Sequence, residues 1–145
     1  MLHLIKLCVG IENAAELVAW QHHRLEQMRR NGVPAELVHR TRQMPKRRDA
    51  VLDGGSLYWV IKGVIQLRQR IVNLREEAND EGRSMCGIVF DPVLVATRPQ
   101  PRRPFQGWRY LTPEDAPADL SAAEHDAVDA MPPEMRAELA ALALL

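Results

Sequence analysis

Residues 57–71 read LYWVIKGVIQLRQRI, and this stretch decides the fold. Its odd positions Leu57, Trp59, Ile61, Ile65, Leu67 and Ile71 are apolar, whereas the even positions Lys62, Gln66, Arg68 and Arg70 are polar. A repeat of two marks a strand that buries one face. The run exceeds the length of an ordinary strand, so Gly63 marks a bend, a bulge or a break into two strands. Asp53-Gly54-Gly55 ahead of it is a turn signal. Asn79-Asp80-Glu81-Gly82 behind it is a second turn, leading into a strand from Met85 to Phe90 and so to an antiparallel hairpin.

Working outward, His3 to Val9 reads as a first strand ended by Gly10. Asn13 followed by Glu16 forms an Asn version of the capping box, and Ala14, Leu17, Val18, Gln21, Leu25 and Met28 make a helical stripe. Gly32 and Pro34 end that helix. Leu37 to Met44 reads as a short second strand and Val93 to Thr97 as a late one. Pro99, Pro101 and Pro104 keep the following segment extended. Ser121 with Glu124 caps a further helix, Pro132-Pro133 breaks it, and Met135, Leu139 and Leu142 stripe the last one. The expected fold is α+β: a mixed or antiparallel barrel-like sheet over residues 1–118, a long helix after the first strand, and an acidic helical tail over 119–145.

The chain has 145 residues and a formal net charge of zero, which hides a division. Residues 1–110 hold 18 Lys and Arg against 11 Asp and Glu, a net of +7, and residues 111–145 hold the compensating −7. Such asymmetry points to a basic surface with an acidic appendage that docks on it or competes for it. Cys8 and Cys86 lack ligand spacing and read as two buried thiols in a reducing compartment. The apolar opening is broken by His3 and Lys6 and reads as a strand, not a signal peptide; no run is long enough to span a bilayer. A cytoplasmic protein with no membrane partner is expected.

Three stretches carry a family resemblance: MLHLIKLCVG, DGGSLYWVIKGVIQLRQRI and RPQPRRPFQGWRYLTPEDAPADL. They resemble short alphaproteobacterial proteins grouped as a domain of unknown function, a likeness that implies no catalytic residues. The element order, with the Arg-rich His39-Arg40-Thr41-Arg42 strand before YWVIKG and RQRI, is also similar to PUA-like pseudobarrels. That second resemblance implies a PUA-like barrel and RNA binding, by analogy of fold.

Three basic groups are candidate phosphate sites. The first sets Arg98, Arg102, Arg103 and Arg109 beside Phe105, Trp108 and Tyr110, guanidiniums for phosphate and rings for unpaired bases, or else rings that anchor the segment to the sheet. The second is the polar face formed by Lys62, Gln66, Arg68 and Arg70, with Gln69 on the buried parity as a satisfied structural amide or a base-edge reader. The third is the corner Lys46-Arg47-Arg48, downstream of Arg40 and Arg42. Each has a plain counterpart in a solvated, charge-protected surface. No nucleophile elbow, phosphate loop or metal-ligand spacing occurs: His22 and His23 are adjacent on a helix, and Asp53 is foremost a turn residue. The reading is a non-catalytic nucleic-acid-binding module, RNA favoured, without metal or cofactor. The alternatives are a small enzyme or ligand binder with a nucleotide cleft holding Trp108, Arg109 and Gln69, and a protein-interaction module or self-association through residues 134–145.

Overall fold

The computed structural model describes residues 1–121. In chain order these form β1 (His3–Leu7), α1 (Ala14–Arg30), β2 (Leu37–Thr41), α2 (Arg48–Leu52), β3 (Ser56–Ile61), β4 (Val64–Ala78), β5 (Ser84–Phe90), β6 (Val95–Pro101) and β7 (Trp108–Leu111). The class is α+β, and seven strands share one mixed sheet in the order β2-β5-β4-β3-β1-β7, with β6 on β4. Strands β1 and β3 are parallel, and the other pairs are antiparallel.

The helix after β1 forms as its caps dictate. Asn13 is extended (φ −156, ψ 169) and its side chain accepts the Glu16 N–H at 2.9 Å. The Glu16 carboxylate takes the N–H of Glu12, not that of Asn13, so the capping box closes one residue early. At the other end Gly32 N–H donates to Arg29 and Val33 N–H to Met28, the paired bonds of a Schellman motif. Leu17, Gln21 and Leu25 are buried, while Val18, expected in the stripe, is exposed.

The stretch 57–71 resolves into two strands. Lys62 (φ 52) and Gly63 (φ 77) are both left-handed, the requirement of a two-residue hairpin turn matched to strand twist. β3 is buried on both faces, which is why Tyr58 and Val60 interrupt the alternation. One face joins Leu4, Leu57, Trp59, Ile61, Leu67 and Trp108 to Leu17 and Leu25 of α1. The other face holds Ile5, Tyr58, Val60, Ile65 and Leu111 under Phe105 and Ala116. Register shifts at Trp59/Val60 and at Ile71/Asn73 bend β4, so that one edge serves β3 while the other serves β6 and then β5.

A closed barrel is not formed, because the ladder has two ends, β2 and β7. Pro45 lacks a donor and the chain turns into α2, so β2 stops at Thr41, short of any pairing with β7. Side chains span the gap instead. The Trp108 indole donates to the Gln43 carbonyl at 2.8 Å, and Tyr110 Oη accepts the Arg47 N–H at 3.0 Å. The helical tail expected over 119–145 lies outside the described residues beyond Ser121. Its first residues belong to the body: Asp119 bridges Thr97, and Leu120 N–H donates to Ala96.

Candidate nucleic-acid interface

The expected basic groups are built by different elements, and β7 divides them. Alternation on this strand sends Trp108 and Tyr110 to one face, with ring centroids 4.8 Å apart, and Arg109 to the other. Trp108 is 9% exposed and bonded through its nitrogen, so it anchors the segment and has no free ring face for a base. Arg109 is exposed, 5.7 Å over the Phe105 ring, and donates to the carbonyls of Gln106 and Trp108. Arg102 turns inward: its backbone closes on Gly63, and its guanidinium binds the Gln100 side-chain oxygen at 2.7 and 3.0 Å. Arg103 is exposed and meets no carboxylate within ion-pair distance among the described residues. Arg98 donates its N–H to Ala118, fastening β6 to the segment that precedes Asp119.

The corner after β2 keeps its charge. Arg42, Lys46, Arg47 and Arg48 are all exposed, and none forms an ion pair within the described residues. Pro45 is buried between them and fixes the corner, while the Arg47–Tyr110 bond sets a partly exposed phenol ring (38%) beside the cations. Four cations within seven residues therefore stand next to an aromatic face. This is the one place in the described residues where the expected pairing of cations with an accessible aromatic ring is held by a specific bond.

The polar face of the long strand is not one row. Lys62 sits in the turn and pairs with Glu12 at 2.6 Å, and Gln66 sits at the register shift, bonded to the Ile61 carbonyl. Arg70 is exposed without a carboxylate partner among the described residues. Arg68 forms a two-point bond to Asp119 at 2.7 and 2.8 Å and donates to Ser56 Oγ. That bond holds the Asp119 carboxyl below its usual range. His3, beneath it, accepts the Ser56 N–H through Nδ1; burial first and Arg68 second lower its pKa. This cluster fastens the chain end to β3 and β4.

Among the described residues Trp108, Arg109 and Gln69, named for the nucleotide cleft of the alternative reading, are not brought together. Gln69 is fully buried and satisfied, accepting from Trp59 (2.8 Å) and Gln21 (2.9 Å) and donating to Gln21 and the Asp91 carbonyl. It is the structural amide, and Arg109 lies on the opposite side of the sheet from Trp108. Asp53 is an exposed turn residue 3.7 Å from the chain amino group, and His22 and His23 face solvent. Among the described residues no three His, Cys, Asp or Glu converge as for a metal, and no helix is long and apolar enough to cross a membrane. Both thiols are free, with Cys8 pushed up to about 11, by burial first and Glu16 second. Sequence reasoning did not bring together Arg24, Arg40 and Arg75, which line a groove beside α1. Their spacing of 16 and 35 residues carries no local pattern.

No curated protein and no solved structure matches the chain. One family does: a model described as a protein of unknown function, DUF1489, matches residues 4–145, and the chain belongs to that family.

Proposed function

We propose that the protein binds single-stranded nucleic acid, RNA foremost, without catalysing a reaction on it. The observation that carries this reading is the corner of Arg42, Lys46, Arg47 and Arg48, exposed and without ion pairs among the described residues, locked to the Tyr110 ring by the Arg47 N–H bond. Carboxylates elsewhere neutralise Arg40, Lys62, Arg68 and Arg75, so selective pairing leaves positive potential around β7. Cations supply phosphate contacts, and an accessible ring supplies stacking to a base that is not already stacked in a duplex. Arg109, on the far side of β7, and the exposed Arg103 add to the positive surface.

The test is a salt titration of binding to a single-stranded RNA, repeated for the triple variant Lys46→Gln/Arg47→Gln/Arg48→Gln. Loss of three phosphate contacts should weaken binding and lower the slope of log K against log salt by about 2, at roughly 0.7 per contact. Tyr110→Phe, which keeps the ring but removes the hydroxyl that accepts the Arg47 N–H, should weaken binding less than Tyr110→Ala, which should lose about 1–3 kcal/mol. A folded triple variant with the parent's affinity and slope for both RNA and DNA would falsify the reading.

A further inference from the structure

Away from β7, a groove of about 380 Å³ lies between the C-terminal half of α1 and the outer side of β2 and β4. Its volume falls at the lower end of small-molecule sites. Met28, Val33 and Val38 give it an apolar floor, while Arg24, Arg40 and Arg75 bring three guanidiniums to its walls. Arg40 and Arg75 lie on one row across the sheet, both registered to Gly87 between them. Gly87 leaves room for the Glu77 carboxylate to lie across the row: a Cβ there would stand 2.9 Å from Glu77 Cδ. Glu77 binds Arg40 at 2.7 Å and Arg75 at 3.3 Å, and Glu36 binds Arg75 at 2.8 Å.

The charges do not cancel. Three guanidiniums meet two carboxylates, and Arg24 has no carboxylate partner among the described residues, resting 5.8 Å over the Trp20 ring. Arg75 Nε is buried with no acceptor, and a buried donor without a partner is costly. One negative charge would complete the balance, and a planar carboxylate matches the fork of a guanidinium. A phosphate monoester, at nearly two charges, would overshoot. We propose that this groove binds a small amphipathic monocarboxylate, its head on the Arg24 side and its apolar body on Met28, Val33 and Val38.

Sodium octanoate is the probe, titrated into the full chain and followed by backbone amide and arginine Nε–H NMR signals. 1-Octanol carries the same tail without charge, and acetate carries the charge without the tail. Saturable shifts at Val38, Arg40 and Arg75 are expected with octanoate, and binding at least about tenfold weaker with either control. Arg24→Gln, which breaks no bond to a carboxylate in the described residues, should weaken octanoate about tenfold and leave octanol unchanged. Octanol binding as tightly as octanoate, shifts located elsewhere, or full affinity in Arg24→Gln would each overturn the proposal. The triple variant of the Lys46–Arg48 corner should bind octanoate like the parent, so this site and the RNA reading stand or fall separately.

Discussion

Gln69 shows how one buried amide organises the core. Its four hydrogen bonds tie Trp59 on β3, Gln21 on α1 and the Asp91 carbonyl after β5 to the centre of β4. Gln69→Leu fits the volume and orphans each of those partners, so stability should fall by about 2–4 kcal/mol. Gln21→Leu added to it should cost less than the sum of the singles, since the facing amides leave together. Urea midpoints check both, and a Gln69→Leu midpoint matching the parent would show the network to be idle. His39 is the second residue with a measurable signature. Burial foremost, with Lys6 nearby, lowers its pKa to about 4. The unfolded ring has the ordinary, higher value, so between that value and about 4 the unfolded state binds more protons and stability falls as pH falls. Water reaches part of the ring, so the loss from pH 7.5 to 5.0 should be about 1–2 kcal/mol. His39→Phe keeps the edge-to-face contact with Trp59 and should flatten that slope. His3, lowered for similar reasons, will leave a remainder. An unchanged slope in His39→Phe would assign the effect elsewhere.

At the scale of elements, what the sequence showed and hid follows from locality. The caps of α1 and the hairpin after Ala78 are set by neighbours in sequence, and both stand where the residues place them. The turn at Lys62-Gly63 was ambiguous because Lys seldom adopts positive φ, so two strands resembled one long run. β7 hid for a different reason: four residues after Pro104 and Gly107 are too few to show a period. The face of Lys62, Gln66, Arg68 and Arg70 failed at a register shift, which no composition announces. Trp108 and Arg109 looked like one site because they are adjacent in sequence, and the strand then parts them. Gly55 is the most exacting position of these elements. It follows α2, donates to Val51 and accepts from Ile71, and an added Cβ would lie 2.1 Å from the Leu2 carbonyl oxygen and 2.4 Å from that of Val51. Both obstacles are backbone, so relief requires β1 and α2 to part. Gly55→Ala should cost about 4 kcal/mol or more, or prevent folding; a thermal midpoint within a few degrees of the parent would contradict the close approach.

For the whole molecule, the division of charge matters more than its zero sum. Residues 1–121 hold 18 Lys and Arg against 14 Asp and Glu, a net of +4, so residues 122–145 carry −4. Within the body, carboxylates are paired with Arg40, Arg68 and Arg75 but not with the corner at 42–48. If residues 122–145 act on that corner, they would repel an approaching polyanion at long range or occupy the cations directly. Exposed pairs are individually worth about 0–1 kcal/mol, so the effect must come from several charges together and must be screened by salt. A chain ending at Ser121 retains the Arg68–Asp119 bond and the Leu120–Ala96 bond, and so keeps the anchors that hold its last described residues to β4 and β6. It should bind single-stranded RNA more tightly than the full chain at low salt, with the difference vanishing as ionic strength rises. The Lys46→Gln/Arg47→Gln/Arg48→Gln changes, made in both lengths, discriminate further. If the acidic residues act on this corner, the truncated and full-length triple variants should bind alike, because the target of the competition has gone. Equal affinities of the two lengths with the corner intact would rule competition out, and an advantage that survives the triple change would place it on another surface.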